Sequence, residues 1–259
     1  MSVETVRELT PIESGWPGRP LAETRWVLEA WRLLADPVAY GVGVPHGDGR
    51  AVVVIPGFLA SDETLWMLRA WLRVVGYDPY TCGFTFNVDC SDRSLDVVER
   101  VVQRAAHRSG RRVAVIGHSR GGHFARAVAA RRPDLVSHAI SLGADLEGMF
   151  GISSPTRSAV GMARRAVQWT QRSRSPTCFR SSCDCRFVRD YSAPFPEDVR
   201  LTSVFSKGDG VVRWQRATPP EATAVEVTGS HVGMAANRKV FKAIAEALAL
   251  GELPRADDH

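Results

Sequence analysis

Val113-Ala-Val-Ile-Gly-His-Ser-Arg-Gly-Gly122 joins an apolar run to a glycine-flanked serine, and the architecture of the chain can be read outward from it. Its first four residues are a short continuous apolar run. Such a run suits a strand buried on both faces of a parallel sheet. Gly117-His118-Ser119-Arg120-Gly121 then matches Gly-x-Ser-x-Gly, a sharp strand-to-helix turn that holds a serine above a sheet edge. Small residues on either side of Ser119 let that turn approach its neighbours. Residues 120–131, rich in alanine and arginine, read as the helix that follows. Its N-terminal dipole favours negative charge developing near the serine. The pentapeptide alone is a weak signal, and the strand before it and helix after it make it specific.

The same alternation extends in both directions. Upstream, Ala51-Val-Val-Val-Ile55 is a second buried run, stopped by Pro56-Gly57. Residues 63–75 carry Leu65, Leu68, Leu72 and Val75 on one helical stripe. Residues 77–84 read as a strand, and 93–109 as a helix with Leu95, Val98, Val101 and Val102 inward. Downstream, 137–143, 201–206 and 224–227 read as strands, and 237–249 closes the pattern as a helix. Near the N-terminus, residues 21–34 place Val27, Leu28, Trp31 and Leu34 at helical spacing, which predicts an amphipathic helix packed outside the sheet. Strands alternating with helices of this length imply an α/β fold: a mostly parallel twisted sheet with helices on both faces. The expected organisation is a single domain over 1–259. Residues 146–199 hold no clear strand and are expected to form a lid or cap insertion, with a helix at 157–171.

Composition narrows the class. The chain has 259 residues, 44% hydrophobic and 24% charged, as an ordinary globular protein does. No apolar run is long enough to span a bilayer. The first nineteen residues are acidic and polar where a secretory leader would be apolar, so a cytoplasmic location is expected. The net charge of +5 comes almost wholly from arginine, since Lys207, Lys239 and Lys242 are the only lysines. With no aromatic-rich basic motif, nucleic acid is not an expected partner. Cys82, Cys90, Cys178, Cys183 and Cys185 are odd in number, which does not suit a complete disulfide framework. The Cys178–Cys185 cluster lacks the paired spacing and histidines of a metal site, so neither metal nor cofactor is expected. Local disulfides or reduced thiols are the open readings there.

A serine raised this way needs a base, an acid and an oxyanion hole. Of seven histidines, His231 alone follows a final strand, in Gly229-Ser-His-Val-Gly233. His118 lies within the turn and is expected to point away or line the pocket, while His107, His123 and His138 read as surface or packing residues. Asp209, in Ser206-Lys-Gly-Asp-Gly210, follows strand 201–206 and precedes the histidine. Asp145, just after strand 137–143, is the rival acid. The order Ser119, Asp209, His231 is the chain order such sites use on α/β sheets. Backbone N–H groups of Arg120, after the serine, and Phe58, after the first buried strand, are the candidate oxyanion donors.

Taken together, these residues resemble the α/β-hydrolase superfamily over about 52–248, and more narrowly bacterial lipase- and esterase-like serine hydrolases. The carriers are Val54-Ile-Pro-Gly-Phe-Leu59, Gly117-His-Ser-Arg-Gly-Gly122, Arg132-Pro-Asp-Leu-Val136, Ser203-Val-Phe-Ser-Lys-Gly-Asp-Gly-Val-Val212 with Trp214, and Gly229-Ser-His-Val-Gly-Met234. The resemblance implies Ser119 as nucleophile, Asp209 as acid, His231 as base and a carboxylic ester as substrate. The pattern departs at Pro56, where histidine is common, and at Arg120, usually apolar, whose side chain could lean over the pocket or cover the helix. A thioesterase, acyltransferase or amidase would use the same three residues, and a non-catalytic binding protein could stand on the same scaffold. Residues 151–190 hold eight arginines against Asp184 and Asp190. That excess suits an anionic substrate or a lipid surface, or simply a solvated face. Acyl chain length and oligomeric state are not legible.

Overall fold

The computed structural model describes residues 16–148, 151–170 and 185–254. Six strands form one parallel sheet: β1 (Ala51–Ile55), β2 (Asp78–Thr81), β3 (Val113–His118), β4 (Val136–Leu142), β5 (Arg200–Ser206) and β6 (Thr223–Val227). Their spatial order is β2-β1-β3-β4-β5-β6. The helices among the described residues are α1 (Trp26–Leu34), α2 (Trp66–Val74), α3 (Ser91–Ser109), α4 (Arg120–Arg131), α5 (Ser154–Thr170), α6 (Arg186–Ser192) and α7 (Arg238–Ala249).

The apolar runs become central strands because both of their faces are covered. Val52 and Val54 of β1 pack in one core layer with Leu68 and Leu72 of α2 and Phe241 and Ile244 of α7. Ala51, Val53 and Ile55 face the other layer, built from α3, α4 and α6. This is the two-residue alternation of a strand. Burying each such valine or isoleucine contributes about 1.5–3 kcal/mol relative to leaving it exposed.

Three expectations need adjustment. Strand β2, which includes Pro79, is shorter than 77–84: it ends at Thr81, and the chain turns at Gly83 with φ 80°. Its place at the sheet edge is what lets it carry a proline at all. The stripe Val27, Leu28, Trp31 and Leu34 does not pack on the sheet: all four side chains are exposed, and Leu33 is the residue of α1 that is buried. Helical periodicity locates an apolar face but not what covers it. Between β4 and β5, α5 begins at Ser154 rather than 157, and Ile152 makes an isolated antiparallel bridge to Val212. Helix α6 closes a core layer, with Phe187 stacked on Tyr191 and edge-on to Phe124. Cys178, Cys183, Arg172, Arg174 and Arg180 lie outside the described residues.

Topology places the site. Chain order runs outward from β1 to β2, then returns past β1 to β3 and continues in the other direction. The sheet therefore has its switch point between β1 and β3. In open parallel sheets the loops leaving the carboxyl ends of the strands diverge at such a point, and ligands commonly bind between them. Residues 56–60 and Ser119 are those loops.

Candidate active site

Ser119 sits between β3 and α4 with φ 52° and ψ −121°. A side chain forced into this region of backbone space costs about 1–3 kcal/mol and persists only where its surroundings enforce it. Here the Ser119 N–H donates to the Leu142 carbonyl at 2.8 Å, tying the turn to β4. Gly117 and Gly121 supply the room: a methyl on the first would overlap the Gly121 carbonyl, and one on the second the Ile55 carbonyl. The flanking glycines are required by contact with backbone, which cannot move aside.

Asp209 and His231 meet at the same edge. The Nδ1 of His231 lies 2.7 Å from Oδ2 of Asp209, both side chains nearly fully buried. The other carboxylate oxygen, Oδ1, accepts the N–H groups of Val211 at 2.7 Å and Val212 at 2.8 Å. One oxygen is thus anchored to backbone and the other aimed at the imidazole. With Nδ1–H donated to a carboxylate, a neutral ring leaves Nε2 as the acceptor. Burial opposes charge on His231, but the Asp209 charge and hydrogen bond, with the Glu23 carboxylate, outweigh it and raise the pKa above the ordinary 6.5.

Gly143 makes room for this pair. It follows β4 with φ 62°, and a methyl there would stand 2.9 Å from the Met234 sulfur and 3.2 Å from both Asp209 Oδ2 and His231 Nδ1. Asp145, the rival acid, is committed elsewhere. Its Oδ1 accepts Gly148 N–H at 2.8 Å, and its Oδ2 accepts Gly151 N–H at 2.6 Å and Arg216 Nε at 3.0 Å. The structure brings Asp209 to His231, not Asp145.

The loop after β1 approaches the serine from the other side. A methyl on Gly57 would lie 3.2 Å from Ser119 Cβ. Ala60 N–H closes a turn onto the Gly57 carbonyl at 3.3 Å, and Leu59 holds a positive φ of 59°. Phe58 is thereby held beside the serine turn.

Comparison with known proteins fits this geometry. A family model for palmitoyl protein thioesterase matches residues 84–190, a span that holds Ser119 but neither Asp209 nor His231. No curated protein matches the chain. Among solved structures, a Bacillus licheniformis lipase in mature form superposes with a TM-score of 0.54 at 14% identity, covering 81% of this chain and 96% of its own. A Bacillus subtilis carboxylesterase gives 0.52 at 12% identity, covering 89% and 99%. A monoacylglycerol lipase from Paleococcus ferrophilus gives 0.52 at 12%, covering 79% and 96%. The chain has the α/β-hydrolase fold. At these identities the likeness establishes architecture, and the chemistry must be argued from the site.

Within this α/β-hydrolase fold, several supporting residues escaped the sequence reading. His118, expected to point away or line the pocket, turns toward His231. Its Nε2 donates to the His231 carbonyl at 2.9 Å, and the two rings are 5.0 Å apart. Burial, with the neighbouring His231, lowers its pKa to about 4, so it is neutral near pH 7. Asn87, fully buried, donates from Nδ2 to the Pro56 carbonyl at 2.8 Å and accepts Leu59 N–H at 3.4 Å, bracing the 56–60 turn. Arg120 stays over its own helix, 5.1 Å from the ring centre of Phe124, and reaches beyond it. Its guanidinium donates to the Asn87 and Asp89 carbonyls at 2.9 and 2.7 Å and lies 5.7 Å from the Phe58 ring centre. It therefore ties the start of α4 to the loop after β2. Two N-terminal carboxylates, Glu23 and Glu29, hold the Gly210 and Ser230–Val232 amides. No local pattern marks any of these partners, since each pairing spans about 30 to 200 residues of chain.

No helix of the described residues is long and apolar enough to cross a membrane. Among them no three His, Cys, Asp or Glu side chains gather as a metal site would.

Proposed function

We propose that the protein is a serine hydrolase that cleaves carboxylic esters through an acyl-enzyme on Ser119. The observation that carries this reading is the buried Asp209–His231 hydrogen bond, at the sheet edge where a backbone-strained Ser119 is raised. His231 Nε2 takes the Ser119 proton as Oγ bonds to the ester carbonyl carbon. Asp209 keeps the imidazole in the tautomer that can accept it and stabilises the imidazolium. The tetrahedral oxyanion lies against the N–H groups of Phe58 and Arg120, and losing one such donor commonly slows turnover about 100- to 1000-fold. His231 then gives the proton to the departing alkoxide. Water repeats the sequence and releases the acid.

Exposed apolar side chains next to site residues support an apolar acyl group. Leu59 adjoins Phe58, Phe86 adjoins Asn87 and Val232 adjoins His231, and all three face solvent. A lipid-borne ester is the substrate class that suits them. A lipid contact, one of the readings open for the arginine-rich segment, has support at α1. That helix exposes Trp26, Val27, Leu28, Trp31 and Leu34 beside a cleft whose lining holds Arg25, Arg32, Arg238 and Lys239 against Glu29, with Arg238 paired to Asp36. Apolar groups flanked by cations suit an anionic lipid surface. We read the chain as one domain in which, of the expected cap insertion, α5 belongs to the cap and α6 to the core. A thioester is the second reading, favoured by the match of residues 84–190 to palmitoyl protein thioesterase.

Fluorophosphonate labelling, with the modified residue located by mass spectrometry, tests the nucleophile. A panel of p-nitrophenyl esters and matched thioesters then separates the two readings. Label on Ser119 that disappears in Ser119→Ala is the expected result. Wild-type turnover in that variant would overturn the assignment.

A further inference from the structure

Two loops must hold register for Asp209 and His231 to meet, and the N-terminal segment joins them. Glu23 lies in the 3-10 turn Pro20–Arg25. Its Oε1 accepts Gly210 N–H at 3.0 Å and His231 N–H at 3.1 Å. Its Oε2 accepts Val232 N–H at 2.8 Å. The same segment adds Arg19 N–H to the Gly210 carbonyl at 3.0 Å and Arg25 Nη2 to the Gly208 carbonyl at 3.4 Å. Glu29 of α1 takes a neighbouring share, accepting the N–H and hydroxyl of Ser230 at 2.9 and 3.1 Å.

We propose that Glu23 is a positioning residue of this site: its carboxylate locks the Asp209 loop to the His231 loop and stabilises the imidazolium formed while His231 carries the serine proton. The proposal rests on the serine-hydrolase reading of Ser119. Three amide donors on one carboxylate are charge-assisted hydrogen bonds, the stronger kind. One of them is the N–H of the very residue that ionises. The groups facing His231 are Asp209 from the loop after β5, Glu23 from the N-terminal turn and His118 from β3. His118 is neutral near pH 7, so the two carboxylates dominate the field. Glu29 bonds the preceding residue, Ser230, and serves as the comparison: it clamps the same loop without touching His231 itself.

The test compares wild type, Glu23→Gln and Glu29→Gln by two measurements on the whole chain. NMR of the imidazole nitrogens follows the His231 titration, and the rate of fluorophosphonate labelling is measured from pH 5 to 9. In Glu23→Gln the His231 midpoint should fall by about one pH unit, the lower end of what a lost neighbouring charge does. The labelling plateau should fall about tenfold. Glu29→Gln should titrate as wild type whatever its stability. A Glu23→Gln protein whose His231 titrates at the wild-type pH overturns the proposal, because a purely structural clamp would leave the midpoint in place. Should Glu23→Gln not fold, Glu23→Asp decides: the retained charge should hold the midpoint near wild type while the shorter arm slows labelling. A midpoint in Glu23→Asp a full unit below wild type would also overturn it. If Ser119 is unlabelled in every protein, the nucleophile reading fails, and the histidine titration still judges Glu23.

Discussion

Replacing Gly143 by alanine should impair both stability and reactivity, and a second glycine separates the causes. At φ 62° an alanine occupies the left-handed region, which costs about 1–2 kcal/mol. The added methyl also meets the Met234 sulfur at 2.9 Å and the hydrogen-bonded atoms of Asp209 and His231 at 3.2 Å. Met234 is fully buried and cannot swing into solvent. Overpacking of this kind costs about 1–3 kcal/mol. The total is about 2–5 kcal/mol, or a fall in melting temperature of about 4–20 °C for a domain of this size. Gly110, which ends α3 at φ 65°, has nothing within 4 Å of where its methyl would go. Gly110→Ala therefore carries the backbone strain alone, about 2–4 °C per kcal/mol lost. The assay is thermal unfolding of both variants beside wild type, with the rate of Ser119 labelling by a fluorophosphonate. Gly143→Ala should label at least tenfold more slowly, because the Asp209–His231 pair must shift by a few tenths of an ångström, and Gly110→Ala should label normally. Equal melting temperatures for the two variants, with undiminished labelling of Gly143→Ala, would refute the steric reasoning.

Four further outcomes follow from the same geometry. Ser119→Gly should be more stable than Ser119→Ala by about 1–3 kcal/mol, since glycine relieves the strain at φ 52° that alanine retains; chemical denaturation measures the difference, and equal stabilities would remove the strained turn. The pH–rate profile should rise through a midpoint above 6.5, because the base must be neutral and Asp209 and Glu23 hold its proton more tightly than an ordinary histidine; a midpoint at or below 6.5 contradicts this. Stability should decline as pH falls from 6.5 toward 4, because burial lowers His118, His123 and His138 to about 4 and the unfolded chain takes up protons that the native state refuses; this slope is about 1.4 kcal/mol per pH unit per group, His231 adds none below 6.5 because it is protonated there in both states, and a flat melting temperature across that window would count against it. Asp209→Asn should slow turnover by about four orders of magnitude with the fold intact, whereas Asp145→Asn should cost about 3 kcal/mol of stability by breaking the buried Asp145–Arg216 ion pair and leave Ser119 labelling in place; the reverse pattern would exchange the two acids.

Much of the architecture was readable before any coordinates. A run such as Val113–Ile116 is apolar at every position because both of its faces are covered, and that is a local property of the chain. So is the glycine–serine–glycine spacing at 117–121, whose backbone contacts exclude larger side chains. The strand–helix alternation, the serine turn and a histidine after the last strand are all written in neighbouring residues. What local pattern could not supply was partnership. Periodicity made 27, 28, 31 and 34 one apolar stripe, and packing left that stripe exposed while turning Glu29 of the same helix onto the Ser230 loop. Asp209 and Asp145 each follow a strand, and chain order favours Asp209 without showing its contact; the folded chain sends it to His231 and sends Asp145 to Arg216. The links from Arg120 to the Asn87 loop and from Glu23 to the His231 loop belong to the same class. Secondary structure follows from forces acting over a few residues. Which carboxylate reaches which donor depends on where distant loops leave the sheet, and that is decided only when the whole chain closes on itself.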